Sequence, residues 1–291
     1  MGLFGLENFY GGDISSLIEI SQMGEELGFD SVSVTDHVVM GKNLHKYPFG
    51  KFPLPSEAPW YEPLSLLTMI ASNTTNIKLA TAVLIAPLRN PALLAKTAAT
   101  IDSISKGRLE LGVGLGWQKE EYDTAGLSFE NRAEVFWETL DICKLLWEDS
   151  PISFNGKYFN FDDIWCHPQP PQGKDLPLLF GLKMTPENAS RIAKVGHGWI
   201  PIKTSRDFIS EGKQILSEAF INAGRKDQPR IRGQLPTCVD EDGLPNIQLT
   251  LNEIEKSMAA GLDEVEVFPI NFVQGPEDIY KVLKLISEVK K

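Results

Sequence analysis

Apolar residues recur along this chain in two different spacings. In the stretch KGRLELGVGLGW, residues 106 to 117, an apolar side chain occupies every second position from Leu109 to Leu115, and glycine occupies positions 112, 114 and 116. A period of two predicts a strand. Farther upstream, Leu17, Ile20 and Leu27 recur at helical spacing, and Gly28 is a typical helix stop. The chain is therefore expected to contain both strands and helices.

The two spacings alternate along the whole chain. The predicted strands are Leu3 to Leu6, Ser31 to Thr35, Ile77 to Leu84, the stretch 106 to 117, Leu178 to Gly181, Trp199 to Ile202, Ile231 to Val239 and Glu264 to Ile270. The predicted helices are Ile14 to Leu27, Glu62 to Ser72, Glu130 to Trp147, Asp207 to Ala223, Leu249 to Ala260, Pro276 to Val289 and segments starting near Pro91 and Pro186. A loop through Gly11, Gly12 and Asp13 joins the first strand to the first helix. Strands that are each followed by a helix predict an α/β fold, a (β/α)8 TIM barrel, with residues 1-291 as one domain. A doubly wound sheet is the alternative, although it usually has fewer such units.

Two insertions interrupt the regular alternation. Ile152 to Phe161 places Asn155-Gly156 between two apolar runs, which predicts a β-hairpin. The second insertion is a long loop after His37 that contains the aromatic residues Tyr47, Phe49, Phe52 and Trp60. Such a loop is typical of an ordered lid or a substrate wall. In a barrel it would lie at the C-terminal face, where catalytic groups gather.

Composition narrows the classes of partner. The chain has 291 residues, is 42% hydrophobic and carries a formal charge of -11, which disfavours nucleic acid or an anionic membrane as the main partner. Its three cysteines form no CxxC pair, so neither a disulfide framework nor a zinc site is indicated. No apolar run reaches the roughly 18 residues of a membrane span. We therefore expect a cytoplasmic protein.

The ends of the predicted strands contain the candidate chemistry. They are Asp36 and His37 after strand two, Ala82 and Val83 near the end of strand three, Gly114 to Trp117 after strand four, and Gly181 to Lys183 after strand five. His37 is a candidate general base or acid. The alternative is a histidine that only forms a hydrogen bond at the start of a loop. The glycines either let a backbone or a flat ligand approach, or simply pack tightly.

Other residues are assigned structural or solvated roles. His45 is a weaker candidate base, and His167 and His197 lie in loops where a structural role is expected. Glu120, Glu121 and Tyr122 lie one helical turn beyond Trp117, where they could be pocket or helix-face residues, and a solvated helix face is favoured for the two glutamates. The histidines share no HxH or HExxH spacing, so no metal site is predicted, and neither a GxSxG elbow nor a GxxxxGK[ST] phosphate loop is present.

Four segments resemble the luciferase-like monooxygenase family, and within it the branch that uses a deazaflavin, coenzyme F-420. They are ELGFDSVSVTDHVV (26 to 39), IKLATAVLIAPLRNPALLAKTAATID (77 to 102), GRLELGVGLGWQKEEYDTAG (107 to 126) and RIAKVGHGWIP (191 to 201). The resemblance implies a barrel with F-420, or alternatively FMN, across the carboxyl ends of the strands. It also implies a homodimer formed through barrel helices.

The resemblance further implies roles for single residues. Asp36 would bind the cofactor, His37 would be the catalytic base, and a cis peptide at Ala82-Val83 would support the cofactor ring. The remaining implied cofactor-binding residues are Gly114, Leu115, Gly116, Gly181, Leu182 and Thr185. Lys183 or Arg206 would meet the polyglutamate tail of F-420. Trp60 and Trp117 are assigned to the substrate pocket. Trp117 stands where sugar-phosphate dehydrogenases of this branch have an acidic proton donor, so the resemblance does not by itself imply sugar-phosphate oxidation and leaves the substrate open.

Three functional hypotheses follow from the sequence. The first is an oxidoreductase that transfers a hydride between F-420 and a small organic substrate, with His37 moving the accompanying proton. The second is an FMN-dependent monooxygenase that uses reduced flavin and oxygen. The third is a protein of the same fold that binds a ligand without catalysis.

Overall fold

Eight parallel strands close into a barrel at the centre of the protein. The computed structural model describes residues 1–8, 14–275 and 278–289. The strands are β1 (Gly2–Phe4), β2 (Ser31–Val34), β3 (Lys78–Thr81), β4 (Leu84–Ile85), β5 (Leu109–Gly114), β6 (Ile152–Asn155), β7 (Asn160–Ile164), β8 (Leu178–Phe180), β9 (Gly198–Trp199), β10 (Arg230–Gln234) and β11 (Glu264–Val267). Around the barrel the order is β1, β2, β3, β5, β8, β9, β10, β11, and β11 pairs again with β1. This closure confirms the predicted (β/α)8 barrel and excludes the doubly wound sheet.

Helices surround the barrel on its outer side. They are α1 (Ser15–Glu26), α2 (Pro63–Asn73), α3 (Pro91–Ser105), α4 (Lys119–Ala125), α5 (Arg132–Glu148), α6 (Pro186–Val195), α7 (Arg206–Asn222), α8 (Ile247–Leu251), α9 (Ile254–Ala259) and α10 (Ile279–Glu288). The predicted helix from Leu249 to Ala260 is in fact two short helices, α8 and α9. No helix within the described ranges is long and apolar enough to span a bilayer.

Three of the strands that end earlier than predicted are followed closely by a proline. β9, β10 and β11 stop at Trp199, Gln234 and Val267, and each is followed two residues later by a proline: Pro201, Pro236 and Pro269. Proline has no N–H to donate to a neighbouring strand, and it also restricts the residue before it. The barrel ladder therefore stops before these prolines, and the apolar residues that follow belong to the loops of the barrel mouth.

The third strand is interrupted where a cis peptide was expected. β3 ends at Thr81, the Ala82-Val83 peptide is cis, and the chain then resumes as β4 beside β5. The Thr81 hydroxyl donates to the Gly112 carbonyl at 2.7 Å, and Arg232, which is fully buried, donates to the Thr81 carbonyl at 3.0 Å. We call this interruption, Ala82-Val83, the bulge; the residue before it, Thr81, is thus held from two sides.

The inserted hairpin is confirmed and lies against α5. β6 and β7 pair in antiparallel fashion, and the amide of Gly156 donates to the carbonyl of Phe159 at 2.9 Å across the turn. The Glu138 carboxylate of α5 accepts the amides of Lys157 and Tyr158 at 2.7 and 2.9 Å.

Two predicted features lie outside the described residues. One is the loop through Gly11, Gly12 and Asp13, and the other is the start of the last helix at Pro276.

Candidate active site

The candidate residues gather at one edge of the barrel. They follow β2, β3, β5 and β8, which are consecutive neighbours around the barrel. Because these strands are parallel, their carboxyl ends lie at the same edge, where barrel enzymes place their active sites. The fold therefore brings together residues that are far apart in the sequence.

Asp36 is fully engaged with the protein. Its carboxylate receives two hydrogen bonds from the Arg89 guanidinium, at 2.6 and 3.0 Å, and a third from the amide of Ile85 at 2.7 Å. The Asp36 side chain has no exposed surface. Ile85 belongs to β4, immediately after the cis peptide, so this paired carboxylate ties the end of β2 to the bulge. The hydrogen bonds of Asp36 therefore connect the end of β2 to Ile85 and Arg89.

His37 pairs with Glu121, a residue that the sequence analysis placed wrongly. Nδ1 of His37 lies 3.2 Å from Oε2 of Glu121, and the other carboxylate oxygen accepts the amide of Val38 at 2.9 Å. Glu121 was expected on a solvated helix face, but its side chain is completely buried. The expectation failed because α4 lies over the loop that follows β2, so its inner face is covered. The result is a histidine with one ring nitrogen on a buried carboxylate.

Helix α4 and its N-terminal flank hold the loop after His37 at two further points. The side chain of Gln118 accepts the amide of Gly41 at 2.6 Å, and Glu120 accepts a hydrogen bond from the side chain of Asn43. Glu120 is half-buried, so it also departs from the solvated face that was expected. Together with Glu121, these contacts fix the loop backbone beside His37.

The glycines of β5 and β8 make room for Val83. A Cβ placed on Gly114 would lie 2.6 Å from a Val83 methyl carbon, and one placed on Gly181 would lie 2.8 Å from the other. A Cβ on Gly112 would meet the Thr81 carbonyl oxygen at 2.1 Å. The glycines thus admit a neighbouring backbone at Gly112, where the Thr81 carbonyl approaches, and pack tightly on a side chain at Gly114 and Gly181. The bulge therefore lies flush against the ends of β5 and β8.

The other residues assigned to the cofactor flank this surface. The Leu115 carbonyl accepts the Tyr122 hydroxyl, Gly116 has a positive φ of 68°, and Leu182 is buried with its carbonyl accepting the Trp199 indole at 2.9 Å. Thr185 caps α6, as its position before Pro186 predicts, because its hydroxyl accepts the amide of Asn188 at 3.2 Å. The side chain of Lys183 is exposed nearby, whereas Arg206 is paired with Glu253.

Aromatic rings from the long loop and from the segment after β5 lie around His37. The centroid of its imidazole lies 4.6 Å from that of Trp60, 5.6 Å from Phe52 and 6.1 Å from Trp117. Tyr47 contacts Phe52 and Trp117 at 5.1 and 5.2 Å. We name Tyr47, Phe52, Trp60 and Trp117 the aromatic cluster. The structure thus places the two predicted pocket residues, Trp60 and Trp117, beside the predicted base.

Glu7 is a buried carboxyl at this edge that the sequence analysis missed. It follows β1 and accepts the amide of Thr35 at 2.7 Å and the hydroxyl of the same residue. Its other oxygen has no partner in the described part of the chain, and burial raises its pKa. A single glutamate after a short strand has no distinguishing spacing, so the sequence held no signal for it.

No group of three potential metal ligands is found among residues 1–8, 14–275 and 278–289. His37, paired with Glu121, is the candidate for proton transfer at this edge.

Comparison with other proteins supports a common ancestry with known enzymes. A Mycobacterium bovis protein of uncharacterized function is 31% identical over 220 residues, which are 72% of this chain and 76% of that protein. An F-420-dependent glucose-6-phosphate dehydrogenase of Kineococcus radiotolerans is 27% identical over 231 residues, 77% of this chain and 62% of the relative.

Two solved structures share the fold over nearly their whole length. The monooxygenase RslO1 from Streptomyces bottropensis superposes with a TM-score of 0.82 at 18% identity and covers 98% of both chains. An F-420-dependent secondary alcohol dehydrogenase superposes with a TM-score of 0.80 at 19% identity, over 100% of this chain and 98% of that one.

The sequence model of the luciferase-like monooxygenases matches residues 4–243, which confirms the resemblance seen in the four segments. Since this match covers well over half of the chain, the protein belongs to the luciferase-like monooxygenase family.

Proposed function

We propose that this protein is an oxidoreductase that transfers a hydride between the deazaflavin F-420 and a small organic substrate. His37 moves the proton that accompanies the hydride. The observation that carries the proposal is the contact between His37 and the buried carboxylate of Glu121, 3.2 Å apart, at the mouth of the barrel. A histidine oriented in this way by a carboxylate is a general base whose second nitrogen is available to a substrate.

The surface beside this pair fits a planar ring system. Val83 occupies the space that Cβ atoms at Gly114 and Gly181 would need, so these three residues form a close-packed floor at the ends of neighbouring strands. The floor would carry the ring, and the backbone from Gly114 to Gly116 would flank it. Thr185, at the start of α6, and Lys183 would lie towards the phosphate and the acidic tail, because helix N-termini and lysines favour anions. A bound deazaflavin would supply the hydride acceptor or donor at this floor.

The contact with Glu121 determines which ring nitrogen of His37 can accept a proton from the substrate. If Nδ1 donates its proton to Glu121, Nε2 holds the lone pair and faces away from the carboxylate. When an alcohol is oxidised, its carbon loses a hydride and its hydroxyl proton passes to Nε2 of His37. The buried carboxylate then stabilises the imidazolium that forms. In the reverse direction the imidazolium returns the proton to the oxygen of the ketone.

The relatives support this proposal and also its alternative. The Kineococcus radiotolerans relative and the secondary alcohol dehydrogenase structure are both named as F-420-dependent. The alternative is an FMN-dependent monooxygenase, which the name of RslO1 and a Baeyer-Villiger monooxygenase structure in complex with FMN support. That second structure superposes with a TM-score of 0.76 at 17% identity, over 99% of this chain and 96% of the other.

Binding and turnover with both cofactors test the proposal. Purified protein is titrated with F-420 and with FMN, and the fluorescence of each cofactor reports binding. F-420-linked oxidation of 1-phenylethanol is then followed without oxygen. We expect saturable F-420 binding and alcohol-dependent reduction of F-420, both in preference to FMN. Tight FMN binding without F-420 binding would refute the proposal in favour of the monooxygenase, and no binding of either cofactor would refute both.

A further inference from the structure

The interior of the barrel contains a fully buried arginine that the proposed proton transfer does not use. Arg232 belongs to β10, and its side chain has no exposed surface. β10 and β3 are four places apart in the closed ring of eight strands, so they face each other across the barrel. The Arg232 side chain spans this interior, because its Nη2 donates to the Thr81 carbonyl at the end of β3, at 3.0 Å. Burying a charge in this way is costly, so its contacts need a physical reason.

The carboxylates near Arg232 are farther from it than the Thr81 carbonyl is. Nη1 of Arg232 lies 3.3 Å from Oε2 of Glu110. Nε lies 3.5 Å from Oε1 of Glu266, and it has no hydrogen-bond partner among the described residues. The shortest contact of the guanidinium is therefore the one with the Thr81 carbonyl.

Neither of these carboxyl groups depends on Arg232 alone. Glu110 is also paired with Lys78 at 2.9 Å and with Arg230 at 3.1 Å. Burial raises the pKa of Glu266, although Arg232 opposes that shift, and this favours the neutral form of the carboxyl group. A balance of buried charge does not by itself explain where the Arg232 guanidinium lies.

The Thr81 carbonyl is the last group of β3 before the bulge. The Thr81 hydroxyl donates to the Gly112 carbonyl at 2.7 Å, and the amide of Ala82 donates to the Val34 carbonyl at 2.9 Å. The neighbouring strands β5 and β2 thus hold the chain at its sides. Arg232 adds a contact from inside the barrel, which neither neighbouring strand provides.

The position of Val83 depends on that of Thr81, two residues earlier. A Cβ on Gly112 would lie 2.1 Å from the Thr81 carbonyl oxygen, so this oxygen has no room to move towards β5. Cβ atoms on Gly114 and Gly181 would lie 2.6 and 2.8 Å from Val83, so Val83 has no room on that side either. If the Thr81 carbonyl is released, Val83 can move only out of the close-packed floor.

We propose that Arg232 is a positioning residue for the cofactor, and that its hydrogen bond to the Thr81 carbonyl holds Val83 in the floor on which the cofactor ring lies. The inference rests on the proposed function in that a ring lies on this floor, and the flavin ring of the alternative would need the same floor. Arg232 acts through Thr81 and Val83. Without the hydrogen bond, the floor is in its binding-competent position for only a fraction of the time, and the apparent Kd rises by the inverse of that fraction.

Replacing Arg232 by lysine separates the hydrogen bond from the charge. Arg232→Lys keeps a cation beside the buried carboxyl groups, but a lysine is a point charge without the planar fork that serves a carbonyl and a carboxylate together. Arg230→Lys is the matched control. Arg230 lies two positions earlier on the same strand, and its hydrogen bonds go to Glu110 and Glu264 instead of Thr81.

A second variant covers the case in which Arg232→Lys does not fold. Arg232→Met combined with Glu266→Gln removes the cation and the carboxyl group beside it together, so neither is left buried without the other. Exchanges of a buried ion pair for uncharged side chains of similar volume are often neutral for stability. This double variant also lacks the donor to the Thr81 carbonyl, so it should show the same loss of cofactor affinity.

Two measurements are made on each variant. The first uses the cofactor-free protein with 13C-labelled valine methyl groups, and Val83→Ala identifies the Val83 signals. The second is a fluorescence titration with oxidised F-420 and with FMN, and urea unfolding of the same samples gives their stability. F-420-linked oxidation of 1-phenylethanol then provides kcat and the KM for F-420.

We expect Arg232→Lys to move the Val83 methyl signals and to raise the Kd of the cofactor about tenfold, the effect of one lost hydrogen bond. The KM for F-420 should rise in parallel. The value of kcat at saturating cofactor should change less than about threefold, because the contact of His37 with Glu121 does not involve Arg232. Arg230→Lys should leave the Val83 signals in place and the Kd within about twofold, even where it unfolds at an equally low urea concentration.

An unchanged Kd or unmoved Val83 signals in Arg232→Lys would overturn the proposal, as would an unchanged Kd in the double variant. Equal losses of affinity in Arg230→Lys and Arg232→Lys would overturn it too, because they would reflect a general loss of stability.

These outcomes are separate from the fate of the proposed function. A protein that binds FMN but not F-420, and binds FMN more weakly in Arg232→Lys, loses the proposed function and retains the inference. A protein that reduces F-420 and binds it equally well in Arg232→Lys retains the function and loses the inference. If neither cofactor binds, both are refuted.

Discussion

Replacing Glu121 by glutamine tests the pair on which the proposed chemistry depends. Glu121→Gln keeps the size of the side chain and an oxygen for the amide of Val38, but it removes the charge that faces His37. Hydrogen bonds to charged groups contribute about 1.5 to 3 kcal/mol. The distance of 3.2 Å between Nδ1 and the carboxylate is longer than in the shortest charge-assisted bonds, so the lower half of that range applies. A loss of about 1.5 to 2 kcal/mol in the transition state lowers kcat about 10- to 30-fold.

The assay is F-420-linked oxidation of 1-phenylethanol, with kcat and KM determined separately. We expect the loss in kcat, with KM for F-420 changed less than twofold, because Glu121 acts on the proton carrier and not on the cofactor floor. Glu120→Gln is the matched control, since Glu120 lies in the same helical turn and accepts from Asn43 instead of contacting His37, and glutamine keeps an oxygen that can accept from Asn43 and hold the loop. It should retain kcat within twofold.

A double substitution separates a role through His37 from a general structural role. If Glu121 acts only by orienting His37 and stabilising its charged form, Glu121→Gln should have no further effect on kcat in the His37→Asn background. The reasoning is refuted if kcat of Glu121→Gln stays within threefold of the unmodified protein. It is refuted equally if the two substitutions reduce kcat independently, or if Glu120→Gln is as damaging as Glu121→Gln.

Three further predictions concern the bulge and the dependence of stability on pH. Gly114→Ala places a Cβ 2.6 Å from Val83, so we expect about 1 to 3 kcal/mol of destabilisation and weaker F-420 binding. Adding Val83→Ala should restore both the stability and the binding. Chemical denaturation and cofactor titration measure the two effects, and a double variant without rescue would contradict the prediction. Burial opposes ionisation of Glu25, but the amides of Ile77, Asn76 and Thr75 outweigh it and lower the pKa of Glu25 to about 2. The ionised Glu25 stabilises the native state by about 1 to 2 kcal/mol after allowance for solvent screening. This stabilisation is present above the unfolded pKa of about 4.5 and is lost as pH falls towards 2. In Glu25→Gln the free energy of unfolding should therefore depend less on pH between 4.5 and 2. Burial, with Lys144 and Arg225 nearby, lowers the pKa of His197 to about 4, so the unfolded chain takes up a proton below about 6.5 before the native one does. Native stability should therefore fall by about 2 kcal/mol between pH 6.5 and 4, and His197→Gln should remove that slope in urea denaturation; an unchanged slope would contradict the assignment.

The elements of the fold were predictable because their causes are local. The alternation from Leu109 onwards predicted β5, and the Thr185-Pro186 dipeptide predicted the cap and first residue of α6. Strand ends were less predictable at β9 and β10, where the apolar run continues into the proline-containing loops of the barrel mouth. Apolar residues are needed in both places, so the pattern alone does not separate strand from loop.

The candidate site was predictable in its location but not in its contacts. The sequence pointed to His37 and to the glycines because residues after parallel strands meet at one edge. It did not show that Glu121 is buried on His37, because the carboxylate is 84 positions away along the chain and its helix had the composition of an exposed one. Nor did it show that the Asp36 carboxylate is occupied by Arg89, 53 positions away.

By itself, the sequence determined the type and order of most elements and the barrel edge where the candidate residues lie. It left a doubly wound sheet open, and only the pairing of β11 with β1 decided that the eight strands close into a barrel. Periodicity and turn residues act over a few positions, so they can be read without knowing what lies opposite. Only the tertiary structure decided that Val83 fills the space beside Gly114 and Gly181, that the buried carboxylate of Glu121 lies 3.2 Å from Nδ1 of His37, and that the Trp60 N–H is buried without an acceptor in the described chain. These features depend on which side chains face each other across neighbouring strands and loops, and packing in three dimensions sets that pairing.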